Sequence, residues 1–267
     1  MKHYKTIIWD LDGTLMDTLQ DLMDSVNFAL RQNGMPERTC QEVRSFVGNG
    51  VRRLIDLSVP KGTEVALADK VFADFKSHYI VHCQDQTGLY EGIAETLQEL
   101  KRRGIRMAVV SNKLQPGVTE LFNAQVRTVG REDTICLKDY VEVAIGERPE
   151  LVRKPAADMV NKAFEEMGID RTDAVYVGDS EVDLATAKNA GLPCISVLWG
   201  FRDKDFLIGQ GAEMFIERPA EILQFVEDLQ ESEYEKFRRM QIEQFEDDIT
   251  EGRCYPELPE GQFVRSK

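Results

Sequence analysis

Residues 6–14 read Thr-Ile-Ile-Trp-Asp-Leu-Asp-Gly-Thr, a short apolar, β-prone run that ends abruptly in two carboxylates, a glycine and a hydroxyl. A run of this length and composition predicts a buried strand. Charges at its end fall where open α/β sheets bind ligands, beyond the carboxyl ends of the strands. Asp10 and Asp12 stand two apart, so in extended backbone they share a face. Two like charges this close repel unless a cation or a shared proton relieves them. Gly13 lets the backbone approach a ligand closely, and Thr14 adds a hydroxyl.

The rest of the chain decides which kind of sheet this strand enters. After Thr14 the rhythm turns helical. Leu19, Leu22, Met23, Val26, Phe28, Ala29 and Leu30 mark a helix that Gly34 and Pro36 stop. Thr39 with Glu42 three on is a capping-box pattern opening a helix through Phe46. Another helix is expected over 51–57 and a long one over 64–84, with Val65, Ala68, Val71, Phe72, Phe75, Tyr79 and His82 as its apolar side. No strand is expected between 17 and 86, so the segment reads as an all-helical insertion.

From Gly88 onward helices and strands alternate. Helices are expected over 92–103, 117–126, 181–190 and 219–229, and one more opens at Lys154-Pro155 with proline at its first position. Strands are expected over 105–110, 134–137, 141–145, 174–177, 194–198 and 214–216. This alternation implies an α/β fold: a doubly wound, Rossmann-like parallel sheet with right-handed crossovers. The expected organisation is a core of 1–15 and 88–227, a helical insertion of 16–87 and an acidic extension of 228–267. In that extension Tyr234, Phe237, Ile242, Phe245 and Ile249 trace an imperfect helical face.

Composition narrows the partners. The 267 residues are 42% apolar, enough for a real core, and no apolar run approaches the length of a membrane span. A net charge of −14, from 33 basic and 47 acidic residues, argues against non-specific binding to nucleic acid or anionic membrane. It leaves room for a small anionic substrate, because a pocket can be locally positive. Cys40, Cys83, Cys136, Cys194 and Cys254 are scattered, with no C-x-x-C pair, which suggests neither a disulfide framework nor a zinc cluster and fits a reducing cytoplasm. The first strand begins within a few residues of Met1, so no signal peptide is expected. A monomer or a homodimer is expected.

In a parallel sheet the strand ends would bring Asp10, Ser111 and Asp179 to one rim, with Lys154 just before a helix. Asp10, Asp179 and Asp183 offer hard oxygen ligands, and a few-carboxylate site of this kind suits Mg²⁺. The hydroxyls of Ser111 and Thr14 and the ammonium of Lys154 can hold phosphoryl oxygens. Asp10 can then attack phosphorus and form an aspartyl-phosphate. Asp12 can protonate the leaving oxygen and later deprotonate the attacking water. Lys113 adds local positive potential. His78 and His82 are one turn apart, a zinc-compatible spacing, but with only Cys83 nearby a surface or packing role on the insertion is favoured.

Four short stretches, Asp10-Leu-Asp-Gly-Thr14, Ser111-Asn112, Lys154-Pro155 and Gly178-Asp179-Ser180-Glu-Val-Asp183, stand in the order and approximate spacing of one family's motifs. From about residue 5 to 225 the chain resembles the haloacid dehalogenase-like superfamily of phosphatases, and within it the phosphoglycolate phosphatase-like group. The resemblance implies Mg²⁺ held by Asp10, the Asp12 carbonyl and Asp179, with Asp183 as a further acidic partner. It implies Asp10 as nucleophile, Asp12 as acid and base, and phosphate binding by Thr14, Ser111, Asn112 and Lys154. It also implies that 16–87 is a cap that closes over the site and selects the leaving group. Val47-Gly48-Asn49-Gly50-Val51-Arg52 is similar to a cap segment of the group, which makes Asn49 and Arg52 candidate substrate contacts. The expected activity is Mg²⁺-dependent hydrolysis of a small phosphomonoester such as 2-phosphoglycolate. A phosphomutase or pyrophosphatase on the same scaffold, or an idle fold used for binding, are the alternatives. Dehalogenation is disfavoured because Asp12 is present. The segment between the second and third motifs is hard to align with the family, and the tail beyond about 228 finds no counterpart in it.

Overall fold

The computed structural model describes residues 3–229 together with 240 and 242. In chain order, β1 (Thr6–Trp9) leads to β2 (Met16–Asp17). Four helices follow: α1 (Leu19–Gln32), α2 (Cys40–Phe46), α3 (Gly50–Ser58) and α4 (Val65–His82). Next come β3 (Gly88–Leu89), α5 (Ile93–Arg102), β4 (Arg106–Leu114), α6 (Gln115–Asn123), β5 (Gln125–Arg127), β6 (Thr134–Cys136) and β7 (Val143–Glu147). The chain continues through α7 (Asp158–Met167), β8 (Ala174–Gly178), α8 (Glu181–Ala190), β9 (Cys194–Val197), α9 (Lys204–Gly209) and β10 (Met214–Ile216).

Six strands form one parallel sheet in the order β10-β9-β8-β1-β4-β7. β1 is central, and its four side chains are all buried. They alternate between two apolar layers, as period-2 geometry requires. Ile7 and Trp9 pack with Leu97, Leu100, Met107 and Ile195 on one face, and Ile8 packs with Ile145, Met159, Phe164 and Tyr176 on the other. Each such buried side chain contributes about 1.5–3 kcal/mol over its exposed state. The strand order runs outward from β1 through β4 to β7, then restarts on the other side with β8. That reversal makes a crevice at the carboxyl ends of β1 and β8, the place where doubly wound sheets bind ligands. Register does the rest. Trp9 lies level with Val109 and Val177, so Asp10, Ser111 and Asp179 emerge within a residue of one another along the same edge.

The helices α1–α4 bury a core of their own, in which Leu22, Val26 and Leu30 meet Val43, Leu54, Ile55, Val71 and Phe75. The Thr39–Glu42 capping box is formed, with Glu42 N–H donating to Thr39 Oγ1 at 3.3 Å and Thr39 N–H to Glu42 Oε2 at 2.8 Å. His78 does pack: its Nδ1 lies 3.0 Å from Ser25 Oγ, and its ring stacks between Phe28 and His82.

Several expectations are corrected. Met16–Asp17 and Gly88–Leu89 are strands, paired antiparallel at the neck of the insertion, and two residues are too few to show a period. Asp21 braces the neck by accepting from the N–H groups of Gln86 and Thr87 at 2.9 and 2.8 Å. Val65 opens α4 and is 73% exposed, off the apolar side assigned to it. β4 continues to Leu114 through a register shift after Val110, so Ser111 lies inside the strand. Lys154-Pro155 does not open a helix: α7 begins at Asp158, and Lys154 sits in the preceding turn. Pro219–Phe225 is a 3₁₀ segment where an α-helix was expected, and α9, capped by Asp203 accepting from Phe206 N–H at 2.8 Å, was not anticipated. Tyr234, Phe237, Phe245, Ile249 and Cys254 lie outside the described residues. Among the described residues Cys40, Cys83, Cys136 and Cys194 are unpaired, and no helix is long and apolar enough to cross a membrane.

Candidate active site

The sheet edge gathers side chains from four separated stretches. Asp10 Oδ1 accepts from its neighbour's backbone, Leu11 N–H, at 2.7 Å and from Lys154 Nζ at 2.7 Å. Lys154 is only 2% exposed, and its Nζ also reaches Asp183 Oδ1 at 2.8 Å and Tyr176 OH at 3.1 Å. Burial opposes the charge on Lys154, but Asp10 and Asp183 outweigh it and hold the ammonium well above the ordinary lysine value.

The acids feel the reverse balance. Burial first, then Asp183, push Asp10 well above the carboxylate range against the pull of Lys154. The same two causes push Asp179 up to about 7, although Phe201 N–H donates to its Oδ2 at 2.7 Å. Asp10, Asp179 and Asp183 each offer a carboxylate oxygen, and these atoms lie within 4.8 Å of one another. Three buried carboxylates therefore face one ammonium. Such a cluster has an unmet demand for positive charge, and its donors are all hard oxygens. That set fits Mg²⁺ or a similar divalent ion and does not suit a soft metal.

A second buried pair stands beside the first. Lys113 Nζ lies 3.1 Å from Asp12 Oδ1 and donates to Tyr79 OH of α4, while Ser111 Oγ donates to Asp12 Oδ2 at 3.4 Å. Burial opposes the Lys113 charge, yet Asp12 raises its pKa, and burial pushes the Tyr79 hydroxyl up to about 12. Above these groups Val47, Gly48, Gly50, Val51 and Leu54 of the insertion close a cavity over Asp10, Asp12, Ser111, Lys113, Lys154 and Asp179. It leaves about 40 Å³ for the centres of water molecules. That exceeds the roughly 10–15 Å³ one water needs, so the cavity has room for a small polar group beside the acids.

The structure thus brings together Asp10, Asp12, Ser111, Lys154, Asp179 and Asp183, and it reassigns other candidates. Thr14 is wholly buried and off the cavity wall; its Oγ1 donates to Asp179 Oδ1 at 3.3 Å, so it positions a carboxylate where a phosphate contact was expected. The Asn112 carboxamide is committed to backbone: Oδ1 accepts from Lys154 N–H at 2.9 Å, and Nδ2 donates to the carbonyls of Lys154 and Gly48 at 3.1 Å each. It clamps the turn that carries Lys154. Asp183 has both oxygens engaged, Oδ2 by Ser180 N–H and Oγ at 3.1 and 2.7 Å, Oδ1 by Lys154 and Tyr176. The Asp12 carboxylate is outside the three-acid group. Asn49 and Arg52 do not line the cavity. Arg52 is exposed on α3 and pairs with Asp56 at 3.0 Å and Asp69 at 2.5 Å, because the helix turns it away from the flanking glycines that do face inward.

Lys113 and Tyr176 were not anticipated in these roles. Lys113 directly follows the Ser111-Asn112 pair, which was the available signal. Tyr176 sits in an apolar strand, where a phenol reads as core.

A family model described as haloacid dehalogenase-like hydrolase matches residues 7–197. The chain belongs to this family. It is 36% identical over 200 residues to the phosphoglycolate phosphatase of Rhodobacter capsulatus, covering 73% of this chain and 85% of that one. It is 33% identical over 204 residues to that of Caulobacter vibrioides, covering 74% and 81%. The crystal structure of a candidate phosphoglycolate phosphatase from Lactobacillus delbrueckii subsp. bulgaricus superposes with a TM-score of 0.76 at 30% identity, covering 85% of this haloacid dehalogenase-like hydrolase and 99% of that chain.

Proposed function

We propose that the chain is a cytoplasmic, Mg²⁺-dependent phosphatase that hydrolyses a small phosphomonoester of the phosphoglycolate kind through an aspartyl-phosphate on Asp10. The observation that carries this reading is the pairing of Asp10 with Lys154 at 2.7 Å inside a three-carboxylate cluster, under a cavity with room for a small polar group. Curated relatives named phosphoglycolate phosphatase support the substrate class. Unpaired Cys40, Cys83, Cys136 and Cys194 fit the compartment.

In this reading Asp10, Asp179 and the Asp12 carbonyl hold the divalent ion, and Asp183 supports the site through Lys154. The bound ion supplies positive charge that lets an anionic nucleophile meet an anionic phosphate. Lys154 and Ser111 orient the phosphoryl oxygens. A lone pair on the Asp10 carboxylate oxygen not held by Lys154 attacks phosphorus, forming one O–P bond as the ester P–O bond breaks. Asp12, positioned by Lys113 and Ser111, serves in its protonated form as the general acid toward the departing alkoxide. It then takes a proton from the water that cleaves the acyl phosphate. The insertion over 16–87 serves as the cap, with Val47, Val51 and Leu54 excluding bulky leaving groups.

The test is phosphate release from an aryl phosphate and a panel of small phosphomonoesters, with and without Mg²⁺, with Asp10→Asn run in parallel. Metal-dependent turnover abolished by the substitution is expected. Metal-independent turnover, or full activity of Asp10→Asn, would refute the mechanism.

A further inference from the structure

The helical insertion touches the three-acid cluster indirectly, through the loop that joins β9 to α9. Phe201 N–H in that loop is the donor to Asp179 Oδ2, and Trp199 Nε1 donates to the Thr14 carbonyl at 2.9 Å. The loop packs without slack. A Cβ on Gly200 would lie 2.3 Å from Asp179 Cβ and 2.4 Å from the Gly13 carbonyl, so the loop backbone lies directly against Asp179 and cannot move toward it.

Two arginines tie this loop to the end of α2, one reaching in each direction. Arg44, near the end of α2, donates from Nε to the Phe201 carbonyl at 2.9 Å and from Nη2 to the Gly200 carbonyl. Arg202, in the loop itself, donates from Nη1 to the Arg44 carbonyl at 3.1 Å and from Nη2 to the Val47 carbonyl at 2.9 Å. Those acceptors are carbonyls at the end of α2 that lack helical partners. Glu181, two residues past Asp179, fixes Arg202 Nε at 2.8 Å. The planar guanidinium presents its donors as a rigid fork, so each arginine sets an orientation as well as a distance. The phenyl ring of Phe201 completes the attachment by joining the insertion's own core. On the other side Val47 and Gly48 form the roof of the cavity.

We infer that Arg44 and Arg202 form a two-way clasp through which docking of the insertion sets the position of Asp179, so that closure of the insertion and binding of a divalent cation favour one another. Both are positioning residues; neither faces the cavity. The inference rests on the cation site proposed above. Linkage makes it reciprocal: whatever the clasp adds to cation affinity, the cation returns as stability of the docked insertion.

The experiment titrates Mn²⁺ into the full chain without substrate and reads free ion by electron paramagnetic resonance. Arg44→Ala and Arg202→Gln should weaken Mn²⁺ binding about tenfold, within the usual size of a coupling between sites. Arg44→Lys should restore part of it. Arg31→Ala, which breaks only an exposed ion pair with Glu37 on the insertion, should leave it unchanged. Amide exchange over 44–48 should slow on adding Mn²⁺ to the wild type and not to Arg44→Ala. If Arg44→Ala does not fold, Arg202→Gln decides. Wild-type affinity in a folded clasp variant overturns the inference and leaves the cation site standing. Absence of Mn²⁺ binding to the wild type overturns both.

Discussion

Replacing Lys154 by methionine tests the electrostatics of the site most severely. Lys154 is 2% exposed and lies 2.7 Å from Asp10 and 2.8 Å from Asp183, and it is the ammonium within this cluster. Removing one member of a buried ion pair costs about 3–5 kcal/mol, because the other charge stays buried without compensation. The acids have a partial escape. Asp10 already lies well above its ordinary value, and loss of Lys154 takes away a group that lowers it. A carboxyl whose folded pKa is raised above the unfolded value stabilises the fold below the unfolded pKa, and that stability is lost as pH rises through the folded pKa. The deficit of Lys154→Met relative to wild type should therefore grow from acid toward alkali. Urea unfolding with chelator present, followed by circular dichroism, should give a loss of about 3 kcal/mol or more at pH 8 and a smaller loss at pH 5. Equal deficits at both pH values, or a loss below about 1 kcal/mol at pH 8, would refute the picture of one lysine compensating buried acids.

Three further outcomes are expected. Thr14→Val should weaken divalent-ion affinity a few-fold, about one hydrogen bond's worth, while leaving KM for the phosphoester unchanged; a large rise in KM would restore Thr14 as a phosphate contact. Arg52→Ala should change kcat/KM by less than about twofold, as for an exposed ion-paired side chain, and a tenfold loss would mean that it reaches substrate in another state of the insertion. Burial, then His82, lower the pKa of His78, so it favours folding as a neutral ring and loses that contribution as pH falls below about 6.5. The melting temperature of His78→Phe should accordingly fall less between pH 7 and pH 5.5 than that of wild type.

Much of the fold was legible because its elements are long enough to show a period. The four helices of the insertion, the buried strand Thr6–Trp9 and the strand Ala174–Gly178 each carry a run or a rhythm that sequence alone displays. The neck strands Met16–Asp17 and Gly88–Leu89 do not, since two residues have no period, and their pairing depends on how the insertion closes. The site was legible as residue types at strand ends, where Asp10 and Asp179 converge, and as a lysine just before a helix, Lys154, which the turn ahead of α7 brings to them. Direction was not legible. Whether Thr14 faces a ligand or a carboxylate of the site, and Asn112 a ligand or a neighbouring main chain, depends on contacts made across 165 and 42 residues of sequence. Arg52 illustrates the same limit. Gly48 and Gly50 turn inward, and the helix that begins at Gly50 carries Arg52 out to Asp56 and Asp69.

The central claim is a covalent phosphoryl group on Asp10, and it can be read directly. The protein is mixed with Mg²⁺ and a small phosphomonoester, quenched rapidly in acid, reduced with tritiated borohydride and digested. The account predicts tritium in the peptide that contains position 10, as the reduced form of an acyl phosphate, and none from Asp10→Asn. Turnover that proceeds with no label at position 10, or with label at Asp12 or Asp179, would contradict it.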